Sequence, residues 1–453
     1  LAFESVTAWI LTFSTTRNQY PAQSMTAHLS LLNPPRPVEP SHVTRALPEE
    51  IQALQRNTFE YFWLESHPST GFPRDRLRSD GKPIHEIASI SGIGFAFIAI
   101  VVGAYRSWIT AADALERTNQ ILSSLGKVKR YHGAFPHFVN AETCELIPFA
   151  KFDDGGDLVE TAFLMQGLIC SREFFSGSTP AERKLQTAVD ELVQAVEWDW
   201  YTKGESGPLW WHWSPRHAWA RNLPIQGWNE ALSCYVLAAG SWKYGIDPAC
   251  YHSGWARDGA ILNGNEYLGV RLPLGDPFGG PLFLSQYSFC ALDPRGLGDG
   301  YCSDYWMQIH AHAKINYLHC RSRYKDADGW GLSACDGPRG YLVNSPINDS
   351  GVIAPTAALS SIPFLPTEAI EAAHQFLHWR GGRLEGRFGL MDSFKPSTGW
   401  VSKTHLAINQ GPIVAMIENY RSGLLWDLFM GAPETKSGLK RLGFSSHGQQ
   451  LMT

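Results

Sequence analysis

Charge is scarce in this chain: only 18% of its 453 residues are Asp, Glu, Lys or Arg, and the formal net charge is −5. That balance supplies no basic field, which excludes nucleic acid as the expected partner. No apolar run is long enough to span a bilayer. The one near the start, within "LAFESVTAWILTFSTTRNQ", is short and lacks a basic leader, so no membrane association and no clear signal peptide are expected. The eight cysteines form no CxxC pair, which argues against a zinc site, allows a few disulfides and leaves the redox compartment open. No fixed-period similarity supports a stack of short repeats. Strand signals are few.

Aromatic residues are plentiful instead. The 17 Trp, 16 Tyr and 23 Phe exceed what a core of this size needs, and many stand beside Gly, His and Pro in expected loops. Such rings suit a pocket for a ligand with flat apolar faces and polar edges. With 44% hydrophobic residues the composition is globular.

Residues 1–47, Pro- and Ser-rich from Tyr20 onward, are expected as an extended arm, and 48–453 as one folded catalytic unit. Apolar spacing predicts helices over 48–65, 92–108, 110–125, 157–176, 180–198, 228–243, 281–292, 303–323, 366–379 and 411–430. "FPHFVNAETCELIPF" predicts a hairpin between helices. "ISGIGFAFIAIVVGAY" is apolar nearly all round, whereas "PAERKLQTAVDELVQAVEWDW" has one apolar stripe. That contrast implies inner and outer helices, hence an all-α double-ring barrel with its aromatic loops at one mouth.

The stretch "FDDGGDLVETAF" packs Asp153, Asp154, Asp157 and Glu160 around a glycine pair. Asp157 with Glu160 three residues later fits a helix cap, which leaves Asp153 and Asp154 unexplained. "DDGGD" also fits the DDxxD pattern that holds magnesium in terpene synthases. Those aspartates need a continuous helix, however, which paired glycines oppose at about 1 kcal/mol each. "NDSGVIAPT" does not supply the second metal motif. Glycoside hydrolysis asks for a protonated carboxyl and an ionised one across the scissile bond. A helix start favours the ionised form, so Asp153, Asp157 or Glu160 suits the base. Glu230 suits the acid: it follows Trp210, Trp211, Trp213, Trp219 and Trp228 and opens an apolar helix, although an ordinary first-turn glutamate would look the same.

Six segments, "RYHGAFPHFVNAETCELIPFAKFDDGGDLVETAFLMQGL", "LWWHWSP", "GWNEALSCYVLAA", "ALDPRGLGD", "GVIAPTAALSSI" and "LAINQGPIVAMIENYRSGLLWDLFM", resemble in order the glucoamylase-like proteins of glycoside hydrolase family 144. They cover roughly Glu49 to Phe444. The resemblance implies an (α/α)6 barrel acting on β-1,2-glucan with inversion, as an endo-β-1,2-glucanase yielding sophorose and short sophorooligosaccharides or as an exo enzyme releasing sophorose. A glycosyl-transferring relative and a silent sugar-binding protein are the alternatives. The family's essential acids fall here on Asp153, Asp157, Glu160 and Glu230. Environment assigns Glu230 as acid, Asp153 as base, and Asp157 and Glu160 as orienting partners. His132, Phe135, His137, Trp211, Trp213, Trp228 and Glu418 are the expected sugar contacts. No cofactor or metal is implied, and a secreted or periplasmic monomer is expected. One departure stands out: Asn409-Gln410-Gly411-Pro412 occupies the place where the family reads Asp-Gln-Gly-Pro.

Elsewhere, His310, His312 and His319 with Cys320 read as surface or packing residues, because positions i and i+2 on a helix point apart. Glu418 and Arg421 read as an i,i+3 ion pair, with Glu418 lining the cavity if its helix is an inner one. "GFPRDRLRSDGK" reads as a solvated loop from which Arg74 could reach the barrel mouth.

Overall fold

The apolar segment Ile90–Tyr105 forms, in the computed structural model, a helix buried along almost all its length. It begins a ring of six inner segments. Leu158–Phe174 packs directly against it, and Leu232–Gly240 packs against that helix. Ser233 N–H then donates to Ser288 Oγ in the fourth segment, two 3-10 turns at Leu282–Ser285 and Ser288–Cys290. Gln286 Nε2 donates to the Ala357 carbonyl of Pro355–Leu359 (2.9 Å), and Thr356 Oγ1 donates to the Asn409 carbonyl of Ala407–Arg421 (2.8 Å). That last helix packs back on Ile90–Tyr105 and closes the ring. The closest approach is at its start: a Cβ on Gly167 would lie 2.2 Å from the Gly94 carbonyl oxygen, so only glycine lets these two backbones meet.

Outside run Glu49–Leu64, Ala111–Leu125, Pro180–Gln194, Tyr305–Arg323 and Pro366–His378. Pro180–Gln194 illustrates how sequence sets such an element. Thr179 and Glu182 form a reciprocal capping box, Pro180 takes the first turn, and Leu185, Val189 and Leu192 form the one buried stripe. The sixth outer position is a short turn at Tyr251–Trp255, and the C-terminal helix Pro433–Arg441 packs over Leu232–Gly240 beside it. Inner and outer segments thus alternate as an (α/α)6 barrel.

The structure describes residues 45–325 and 328–446. The expected arm therefore lies outside the described residues up to position 44; Arg45 N–H donates to the Arg421 carbonyl and Leu47 is buried. The predicted hairpin is present as Phe138–Asn140 with Leu146–Ile147, and Ile87–Ser89 adds a third strand. Two helix predictions need correction. Residues 281–292 form 3-10 turns rather than an α-helix, and 411–430 is two helices, Ala407–Arg421 and Leu424–Gly431, broken at left-handed Gly423. All eight cysteines are buried free thiols. Among the described residues no helix is long and apolar enough to cross a membrane.

Candidate active site

Starts of the inner segments converge on one cleft that opens to solvent. Ser89 and Ser91 come from the first, Asp157 and Glu160 from the second, Glu230 from just before the third, Phe283 and Tyr287 from the fourth, and Leu406 and Ile408 from the last. Each full helix start aims backbone N–H groups and positive potential toward this space, which suits a site rich in carboxylates.

The glycine pair in the acidic stretch has a steric cause. Strand Gly156–Asp157 pairs with His212–Trp213, and a Cβ on Gly155 would lie 2.0 Å from the Trp213 carbonyl oxygen. A Cβ on Gly156 would lie 2.3 Å from the Tyr201 hydroxyl. This pairing sets the aspartates on the cleft wall. Asp157 caps the Leu158 helix: Oδ1 accepts from the Val159 and Glu160 N–H groups at 3.0 Å. Its Oδ2 meets His137 Nδ1 at 2.9 Å and the Trp211 indole N–H at 3.3 Å. Asp154 turns away from the cleft to Ser214 and Arg216. Asp153 faces it. Burial alone would raise the Asp153 pKa, but His212, His137 and Arg221 together hold it below the usual carboxylate range. His212 Nε2 lies 2.9 Å from Asp153 Oδ1.

His137 stacks on Phe149 at 4.0 Å. Burial would lower its pKa, yet Glu160, Asp157 and Asp153 around it raise it to about 9, so the ring is a cation at neutral pH. Glu160 Oε2 accepts the Ser91 N–H at 2.7 Å and its other oxygen lies 3.9 Å from His137. Its pKa is raised, first by burial and then by Asp157 against the pull of His137. Glu230 is only 8% exposed. Burial, opposed by its own backbone N–H and reinforced by the Asp157 and Glu160 charges, lifts its pKa to about 7. Among the described residues no cation pairs with it. The cleft therefore holds one carboxylate kept ionised, Asp153, and two carboxyls raised to about 7, Glu160 and Glu230, of which Glu230 alone has no cationic neighbour among the described residues; acid–base chemistry on a glycosidic bond requires such a division.

Of the expected contacts, His137 and Trp211 line the cleft with Asp153, Asp157, Glu160 and Glu230. The others sit elsewhere. His132 pairs with Glu197 and stacks on Trp200, with Trp213 edge-on to both rings. Phe135 is fully buried, its N–H bonded to Thr161 and its carbonyl to Asp157 N–H. Trp228 packs in the core against Trp255, Phe289 and Tyr305. Glu418 lies toward the far end of its helix, bonded to Arg106 at 2.6 and 2.8 Å rather than to Arg421, which instead donates to Gln55. None of these five lines the cleft.

The structure also adds residues. Asp75 and Arg76 line the cleft, Arg76 from a strand, Arg76–Arg78, paired with Thr404–Leu406, and Asp75 from just before it, so the expected solvated loop is a wall. Arg74 points away, to Glu86 and the Glu65 carbonyl. Arg76 bonds Asp336 and approaches the ring of Tyr341, another lining residue. The charged alternation "RDRLR" was the available signal for this strand. Asn409 sits behind Tyr287: its Oδ1 accepts from the Tyr287 hydroxyl at 3.3 Å, while its Nδ2 donates to Asp392 at 2.6 Å. The three histidines of Tyr305–Arg323 do not converge. His312 bonds Ser285 and the Gly280 carbonyl, and His319 bonds Asp349.

Comparison with known proteins places this architecture. The Glycoamylase family model, that of a glucoamylase family, matches residues 222–433. An endo-β-1,2-glucanase from Chitinophaga pinensis, solved with sophorotriose and glucose, is 42% identical; the match covers 88% of this chain and 99% of that one, with a TM-score of 0.84. The chain belongs to the glucoamylase-like family, glycoside hydrolase family 144. A β-1,2-glucanase structure from Parabacteroides distasonis is 36% identical, covering 87% of this chain and 60% of that one at a TM-score of 0.83. An exo β-1,2-glucooligosaccharide sophorohydrolase (non-reducing end) of the same organism is 37% identical over 418 residues, 86% of this chain. The chain spans 57% of the length of that relative.

Proposed function

We propose that this protein hydrolyses β-1,2-glucan, with Glu230 donating a proton to the leaving oxygen and Asp153 directing water at the anomeric carbon. The observation that carries this reading is the pair itself: a buried carboxyl without a cation partner and a carboxylate held ionised by three cationic or imidazole neighbours, on the walls of one cleft. The Trp211 indole offers a face for a pyranose, and the cation at His137 fixes Asp157 and Glu160. Inversion requires the two carboxyls to leave room for a water between them, about 6.5–9.5 Å.

Endo action, yielding sophorose and short sophorooligosaccharides, is the finer reading. It is supported by the relative that the match covers almost end to end, an endo enzyme, whereas the exo-acting relative extends well beyond the matched region. Incubation with linear β-1,2-glucan, β-1,3-glucan and starch, followed by chromatography over time, tests both levels. Cleavage of the first alone, with a ladder of products preceding disaccharide, is expected. Disaccharide from the first moments overturns endo action, and an inert β-1,2-glucan overturns the whole assignment.

A further inference from the structure

Away from the cleft, Glu50, His374 and His378 each bring one donor atom to within 4.8 Å of the others. The two histidines are four residues apart on Pro366–His378 and share a face, their ring centroids 4.3 Å apart. Glu50 reaches them from the first turn of the neighbouring outer helix, its Oε1 3.1 Å from His374 Nδ1. A surface ion pair would need only that one contact.

A second observation concerns His378. Its Nδ1 lies 2.9 Å from the His374 carbonyl oxygen. A carbonyl only accepts, so Nδ1 carries the proton and Nε2 keeps its lone pair. Metal-binding imidazoles are commonly oriented in this way, by donating the other ring N–H to a carbonyl or carboxylate. Among the described residues, no carboxylate pairs with His378. The cluster faces solvent, with the His374 side chain 59% exposed, so water can complete a coordination shell.

Two imidazoles, one carboxylate and an open position form a donor set that suits zinc, and imidazole also accepts copper or nickel. Bonds of about 2.0–2.1 Å in a tetrahedron separate ligands by roughly 3.3 Å, a contraction that exposed side chains reach by small rotations. We propose that Glu50, His374 and His378 bind a zinc-class divalent cation that ties the first outer helix to the Pro366–His378 helix.

The test uses the full chain, stripped with EDTA, dialysed and titrated with zinc chloride by calorimetry. One micromolar site is expected, weakened at least tenfold by His374→Ala or His378→Ala and several-fold by Glu50→Gln. Saturating zinc should raise Tm by about 2 °C or more in the parent, because the ion binds only where both helices are in place, and should leave the double histidine variant unmoved. Absence of saturable heat in the parent overturns the proposal, as does parent-like binding in His374→Ala/His378→Ala. Neither readout involves hydrolysis, so the result stands apart from the proposed activity.

Discussion

At the start of the Leu158–Phe174 helix a buried carboxylate meets four donors, from Val159, Glu160, His137 and Trp211; just before Leu232–Gly240 another buried carboxyl meets none beyond its own backbone N–H. Both lie at the mouth of the same ring. Their positions on the helices would predict similar surroundings, since each helix start presents N–H groups to an acceptor. The difference lies in what surrounds them. Donors and a cation absorb the Asp157 charge, while Glu230 has burial and two neighbouring carboxylates working against ionisation. Helix geometry thus places carboxyls at this mouth, and burial with two neighbouring carboxylates keeps a proton on Glu230.

That contrast breaks most visibly at Glu230. Glu230→Gln should lower kcat on β-1,2-glucan by about 10²–10⁴-fold while leaving substrate binding intact, as measured by turnover and by calorimetry. In the parent, activity should decline as pH rises through about 7, where the donor loses its proton. Asp153→Asn should cost about 10²-fold, and the parent's acid limb should lie below the ordinary carboxylate range because Asp153 must stay ionised. Asp157→Ala removes the cap as well as the anchor for His137. A loss of at least about 1–2 kcal/mol in urea unfolding is expected, and lost turnover with unchanged stability would show the anchor reading of Asp157 to be mistaken.

His137 sharpens the comparison through pH. Its folded pKa is raised from 6.5 to about 9, so its contribution to stability is fully present below about 6.5 and is lost as pH rises through about 9. His137→Gln should flatten that slope in thermal scans at successive pH values. The smallest effect is expected at Trp211, where Trp211→Ala should raise KM several-fold with a lesser change in kcat, consistent with about 0.5–1.5 kcal/mol of ring contact.

Much of the ring was legible because burial leaves a periodic trace. An all-apolar Ile90–Tyr105 and a one-striped Pro180–Gln194 announce their layers without reference to any partner. The fourth inner segment was not legible in that way, since its shape depends on Ser288 and Gln286 bonding across to neighbouring segments. Pro412 lies inside the Ala407–Arg421 helix, which starts before the predicted position 411. The acidic turn was readable from its glycines and carboxylates. Which rings faced the cleft was not: Trp211 lines it, whereas Trp213 packs edge-on against His132 and Trp200. Phe135 and Trp228 were read as cleft residues from aromatic clustering, which cannot separate a cavity wall from a core. Arg76 was missed because a charge in a short polar stretch resembles a solvated turn until the pairing with residues 404–406 is known.

The closure of the ring bears on how the protein is made. Gln55 bonds the Val414 carbonyl across 359 positions of chain, and the first inner helix rests on the last. During vectorial synthesis the apolar flank of Ile90–Tyr105 must therefore stay uncovered until the Ala407–Arg421 segment has left the ribosome, a period that invites chaperone capture. A nascent chain halted before residue 407 would hold every proposed catalytic carboxyl and still lack one side of the vessel that concentrates them.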